Sequence, residues 1–185
     1  LDNLLEYNLL QYLFPGTSRC IRQDETTLTL VQAAMGNTDA RISEGKHVTP
    51  AFILAALLWP IVSKQFAVLE GSGEAPMVAM HSAAQSAVTE AVKHISIPRR
   101  FSQPMREIWE FQLRLQRRTG RKALELIEHR RFRAAYDFLL LREQAGEDTG
   151  ELGSWWTEIQ ALSPEQRLEK AVSAEGNHKR PKRIR

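Results

Sequence analysis

The sequence predicts an all-α protein: an irregular bundle of many helices with a disordered basic C-terminal tail. Three observations carry that expectation. Apolar residues recur at steps of three and four, the period of a helix that buries one stripe. Nothing reads as a strand. The interruptions carry helix punctuation, with proline at entries and Pro-Gly or glycine at exits.

Taken in order, Asp2 is placed to cap a first helix that ends near Phe14, where Pro15-Gly16 stops it. A second helix is expected over residues 24–42. Thr49-Pro50 reads as an N-cap followed by an N1 proline, and it opens a long apolar helix that Pro60 must kink or break. Residues 70–74 form a loop, and another helix runs to about Ile95, ahead of Pro98. Pro104 reads as the start of a helix ending near Thr119, with Gly120 as its stop. A short helix through Leu124 and Ile127 follows. Phe132, Ala135, Tyr136, Leu139 and Leu140 then form a clean apolar stripe, and Leu152, Trp155, Trp156 and Ile159 repeat its spacing. Ser163-Pro164-Glu165-Gln166 has the pattern of a capping box. No internal repeat is visible. The expected division is a helical body over residues 1–175 and a basic tail over residues 176–185.

A chain of 185 residues with 43% hydrophobic and 25% charged residues can bury a core without covalent staples. The single cysteine, Cys20, leaves no intramolecular disulfide and fits a reducing, cytoplasmic location. A monomer is expected. Asp2 and Glu6 occupy the place where a secretory leader would be positive. The most apolar run, residues 51–62, falls short of the roughly 20 residues a bilayer span needs, so no membrane partner is expected. The chain opens on Leu1 and enters a helical pattern at once, so we read it as part of something longer.

Charge is more informative in its distribution than in its total. Residues 1–98 carry 6 basic and 9 acidic side chains, residues 99–142 carry 12 and 5, residues 143–178 carry 2 and 8, and residues 179–185 carry 5 and none. Two basic blocks flanking an acidic one point to a polyanionic partner.

Catalytic chemistry finds no foothold. The five histidines form no metal-type spacing with one another or with Cys20, and no Asp-x-Asp pair exists for two-metal phosphoryl chemistry. Gly71-Ser72-Gly73 lacks the lysine or carboxylates of a phosphate cradle and reads as a linker.

The candidate binding residues are therefore basic. Arg106, Glu110 and Arg114 fall at i±4 and read as a solvated salt-bridge ladder. Arg117, Arg118, Arg121 and Lys122 cluster over a helix end with no carboxylate before Glu125, more charge than dipole compensation requires. His129, Arg130, Arg131 and Arg133 surround a helix start, where cations are mildly unfavourable, and only Arg133 has an evident partner, Asp137. Such a pile makes sense where an anion binds, since the free backbone N–H groups point the same way. A solvated turn is the alternative. Lys179, Arg180, Lys182, Arg183 and Arg185 make the tail a non-specific nucleic-acid arm, a solubilising terminus or a protein-docking segment. Trp59, Trp109, Trp155 and Trp156 fall in apolar stripes and are assigned to the core rather than to base stacking.

Several stretches resemble one known family. Asn37-Thr38-Asp39-Ala40-Arg41-Ile42, Val48-Thr49-Pro50-Ala51-Phe52 with the apolar run to Pro60, and Ile97-Pro98-Arg99-Arg100 leading to Ile108-Trp109 and Leu113-Arg114 are similar to the body of bacterial poly(A) polymerases. The strongest likeness is Glu128-His129-Arg130-Arg131-Phe132-Arg133-Ala134-Ala135-Tyr136-Asp137, joined by Trp155-Trp156 and the arginine-rich tail. The resemblance covers nearly the whole chain. It implies a class II nucleotidyltransferase that adds adenylates from ATP to RNA 3′ ends and promotes RNA decay, with RNA and RNA-decay proteins as partners. It also implies that ATP and Mg2+ belong to an N-terminal head outside this chain, which therefore has no catalytic residues or cofactor and is expected to be inactive alone. The body of a tRNA CCA-adding enzyme and a stand-alone helical adaptor are the alternatives.

Overall fold

The computed structural model describes residue 4 and residues 6–178, with side chains as far as residue 172. The described residues form ten helices: α1 (Leu10–Leu13), α2 (Pro15–Gln23), α3 (Glu25–Ser43), α4 (Pro50–Gly71), α5 (Pro76–Ala91), α6 (Arg99–Leu115), α7 (Gly120–Glu128), α8 (Phe132–Gln144), α9 (Leu152–Ala161) and α10 (Pro164–His178). No strand occurs among them, so the all-α expectation holds. The proposed Asp2 cap and the tail residues Lys179, Arg180, Lys182, Arg183 and Arg185 lie outside the described residues. α10 continues to His178, three residues past the boundary expected at residue 175.

Proline and glycine account for most boundary corrections. Pro15 does not end a helix; it occupies the first position of α2, where its missing N–H costs nothing. α2 then buries Thr17, Ser18 and Cys20 against α4. Pro104 lies inside α6, which starts at Arg99. Gly120 opens α7 at φ 69°, a left-handed conformation that suits a residue without Cβ. Thr49-Pro50 starts α4 as expected, although no side chain caps it, and α4 runs through Pro60 without a break. At the start of α10 the capping box is complete: Ser163 N–H donates to Gln166 Oε1 at 3.1 Å and Gln166 N–H to Ser163 Oγ at 3.4 Å.

α4 is the axis of the larger core. Helices α2, α3, α5, α6 and α8 all pack on it, so its residues between Ala51 and Val62 are buried on most sides. α5 brings a row of buried alanines, Ala83, Ala84, Ala87 and Ala91, to the core that holds Ala55 and Ala56, and small side chains allow a close approach. By length and composition α4 (22 residues, with an 18-residue stretch of mean hydropathy 1.8) is apolar enough to cross a membrane, contrary to the shorter run read from sequence. Here that apolarity serves five helix neighbours.

A second, smaller core joins the C-terminal helices: Phe111 and Leu115 of α6, Ala123 of α7, Phe132, Ala135, Tyr136 and Leu139 of α8, and Leu152, Trp156 and Ile159 of α9. α8 serves both cores, since Phe138 and Leu141 on its other face enter the larger one. α6 does likewise through Met105, Ile108 and Trp109. The tryptophans are core residues, as expected, with Trp155 half-buried. Trp109 Nε1 donates to Ala55 O at 3.1 Å, and Trp156 Nε1 to Leu115 O at 2.9 Å.

One contact fixes how α9 sits on α8. Glu143 accepts from Gly153 N–H at 2.8 Å and from the Thr149 hydroxyl, placing a carboxylate at the α9 N-terminus. A Cβ on Gly153 would come within 2.0 Å of Glu143 Oε2 and 2.8 Å of Leu140 Cδ2. Gly153→Ala is therefore expected to destabilise by about 1–3 kcal/mol, although alanine favours helices. Urea unfolding measures this, and a neutral or stabilising result would mean that Glu143 swings away freely.

Candidate nucleic-acid interface

The candidate basic residues between positions 117 and 133 flank α7 in two groups. α6 stops at Leu115, so Arg117 and Arg118 lie in the connection to α7 and not on a helix end. Arg118 donates to Gly150 O at 3.3 Å and ties this connection to the turn before α9. Arg121 and Lys122 sit in the first turn of α7, which has neither an acidic residue nor a side-chain cap. Arg117, Arg121 and Lys122 are exposed and form no ion pair among the described residues; Glu125, one turn on from Arg121, does not reach it. Positive charge concentrated at a helix start, without a compensating carboxylate among the described residues, is the arrangement expected around a bound anion.

The second group lies beyond the far end of α7. His129 Nδ1 accepts from Arg131 N–H at 3.1 Å, closing the turn into α8, and Arg131 is the N-cap of α8. Arg133 pairs with Asp137 at 2.9 Å and lies 5.6 Å from the centre of the Tyr136 ring. The expectation that Arg130 and Arg131 lack partners is corrected. Glu107 of α6 reaches across: its carboxylate accepts from Arg131 Nε and lies 3.6 Å from the Arg130 guanidinium. Gln103 Nε2 adds a third donor at 3.3 Å. Burial opposes ionisation of Glu107, but the Arg131 bond and charge, Gln103 and Arg130 outweigh it and hold the carboxyl below its ordinary range. The anion that this pile of charge calls for is thus supplied in part by the protein itself. Arg131 is held at 29% side-chain exposure, whereas Arg130 is 71% exposed on a long contact.

The two groups do not merge into one site. α7 has nine residues, about 13 Å of helix at 1.5 Å per residue, and it separates Arg121 and Lys122 from Arg130 and Arg131. The Arg106–Glu110–Arg114 ladder is not formed either. Arg106 donates to Gln85 of α5 at 2.6 Å, and Glu110 pairs with His81 at 3.2 Å. Arg114 turns the other way, 5.5 Å from the centre of the Phe111 ring, and the His129 ring lies 5.0 Å from that same centre. Arg114 therefore belongs with the His129–Arg131 corner. Its spacing of seven from Glu107 is the sequence signal that would have placed it there.

No group of three or more histidine, cysteine or acidic residues among the described residues could hold a metal ion. The family model for the polymerase A arginine-rich C-terminus matches residues 72–185. The chain belongs to that family. The match spans all the basic residues discussed here, including the tail. The wider chain is similar to poly(A) polymerase I of Salmonella typhi, 38% identical over 88% of this chain and 36% of the relative. Poly(A) polymerase I of Escherichia coli O157:H7 is 36% identical over 87% of this chain and 36% of the relative, and that of Haemophilus influenzae is 31% identical over 97% and 41%. The chain thus spans about two fifths or less of the length of these curated relatives. These likenesses agree with the resemblance read from the sequence and identify the chain as part of the C-terminal region of a bacterial poly(A) polymerase.

Proposed function

We propose that this arginine-rich C-terminal region grips RNA by its phosphates for a poly(A) polymerase that adds adenylates from ATP to RNA 3′ ends and so promotes RNA decay. The observation that carries this reading is the trio Arg117, Arg121 and Lys122, exposed around the start of α7 and without an ion pair among the described residues. Arg130, on its long contact to Glu107, forms the second grip at the other end of the helix. Arg118 and Arg131 hold these grips in place, Arg133 flanks the second, and Lys179, Arg180, Lys182, Arg183 and Arg185 add a non-specific electrostatic arm. In this reading ATP and Mg2+ are bound by the part of the relatives that this chain does not match. The protein works as a cytoplasmic monomer that meets RNA-decay proteins. The names of the matched relatives favour adenylate addition over CCA addition.

A salt titration of binding to a single-stranded oligoadenylate tests the reading on the whole chain. Log K should fall linearly with log salt, and the slope should shrink by about 0.7 for each phosphate contact removed. Arg117→Ala, Arg121→Ala and Lys122→Ala combined should therefore flatten it by about 2, with the melting temperature unchanged. A wild-type chain that does not bind RNA, or a triple variant with the wild-type slope, sinks the proposal.

A further inference from the structure

α6 carries a row of residues at steps of seven: Arg100, Glu107 and Arg114. Seven residues of an ideal α-helix return to within about 20° of the starting direction and advance by about 10 Å, so by helix geometry the three positions share one face over about 21 Å. Each station is occupied by a cation. Arg100 is exposed, 5.0 Å from the centre of the half-buried Phe101 ring. Glu107 is covered by Arg130 and Arg131 from the next corner of the fold. Arg114 is exposed and shares the Phe111 ring with His129. The only other carboxylate on α6, Glu110, is turned toward His81 on the α5 side, so Glu107 is the sole acidic residue this helix brings to the row.

We propose that this face of α6 is a linear track for a single RNA backbone, with phosphates held at Arg100, Arg130 and Arg114, and with Glu107 as an internal anion that keeps the middle station in shape. This rests on the RNA-binding reading above and extends the second of the groups flanking α7 along α6. The chemistry at Glu107 supports it: two guanidinium groups and a side-chain amide converge on one carboxylate, the donor set that a phosphate oxygen takes. Arg131, the more buried of the two arginines, stays on Glu107 and fixes the corner. Arg130 is exposed and loosely held, so it turns outward to the phosphate. Arg106 carries the same charge on the same helix but is bound to Gln85, off the row.

Arg106 is therefore the internal control. The test is the same salt titration with single-stranded oligoadenylate on the whole chain, comparing wild type, the double variant Arg100→Ala with Arg114→Ala, and Arg106→Ala. Both row arginines are exposed helix residues replaced by a good helix former, so each variant should fold. The double variant should lose about 1.4 from the slope, two contacts at about 0.7 each, and Arg106→Ala should keep the wild-type slope. Glu107→Gln, which removes the internal charge but keeps the planar side chain and an oxygen to accept from Arg131, should tighten binding several-fold at low salt. A double variant with the wild-type slope, or one whose loss is matched by Arg106→Ala, overturns the track. The triple variant at the α7 start then shows whether RNA binding itself survives, which separates failure of the track from failure of the broader reading.

Discussion

Replacing Trp156 with alanine should destabilise the fold by about 3–5 kcal/mol, the range for removing a large buried aromatic side chain. Trp156 is fully buried at the centre of the smaller core. Its ring meets Phe132 at 5.4 Å and Trp155 at 4.7 Å in edge-to-face contacts, and its N–H satisfies Leu115 O at the end of α6. Truncation opens a cavity and leaves a carbonyl without its partner, two costs that add. In a chain of this size the melting temperature should fall by about 6–20 °C. Unfolding should remain a single transition, because α6 and α8 belong to both cores and cannot leave one without opening the other. A loss under about 1 kcal/mol would mean that this core is loosely packed. Two separated transitions would mean that the two cores are independent. The smaller core also sets where α7 lies, so the grips at its ends should weaken as it loosens.

The sequence revealed most of what depends on local spacing. The stripe from Phe132 to Leu139 is the face of α8 that enters the smaller core, and the tryptophans read as core are core. Phe138 and Leu141 escaped because a helix buried on two sides carries two overlapping stripes, and periodicity reports the cleaner one. Pro15 and Pro104 were misplaced for a related reason. Proline is tolerated at a helix's first position and, when packing compensates, inside it, so its presence alone does not say which side of it is helical. Gly120 has the positive φ of a helix stop, but the helix it borders is the one that follows.

Charge pairing was the least legible. The i, i+4 rule found Arg133 with Asp137, which form their bond as expected. It failed for Arg106, Glu110 and Arg114, whose partners lie on other helices or on an aromatic ring. Glu107 and Arg131 are 24 positions apart, and only the packing of α6 against the entrance to α8 brings them together. That one contact changes the meaning of the basic corner. The excess of cations at the α8 start is partly neutralised from within, so Arg131 acts through position and Arg130 remains the arginine available to a ligand.

The same kind of long-range pairing holds α6 and α8 in register, and it should be costly to break. Arg142 of α8 has 13% side-chain exposure and forms a two-pronged bond with Glu147, at 2.6 and 2.8 Å. Its third nitrogen donates to Gln112 Oε1 of α6 at 2.9 Å, and its guanidinium lies 4.7 Å from the centre of the Trp59 ring on α4. Gln112, buried, donates onward to the carbonyls of Ile108 and Ala135, so α6 and α8 are bonded directly. Arg142→Ala should destabilise by about 2–3 kcal/mol, somewhat under the fully buried case because Glu147 retains access to water. Arg142→Lys, which keeps the charge but loses the fork, should fall between. The pH dependence carries a distinct signature. Burial opposes ionisation of Glu147, but the bond and charge from Arg142 and the Trp59 N–H outweigh it and hold the carboxyl below its ordinary range. A carboxyl lowered by folding contributes stability above its unfolded pKa of about 4.3, and that contribution is lost as pH falls through the lowered folded value. Wild type should therefore lose more stability than Arg142→Ala between neutral pH and about pH 3, so that the two profiles converge in acid. Urea midpoints measured across that range decide the matter: parallel profiles would show that Arg142 contributes packing over Trp59 and no charge pairing with Glu147.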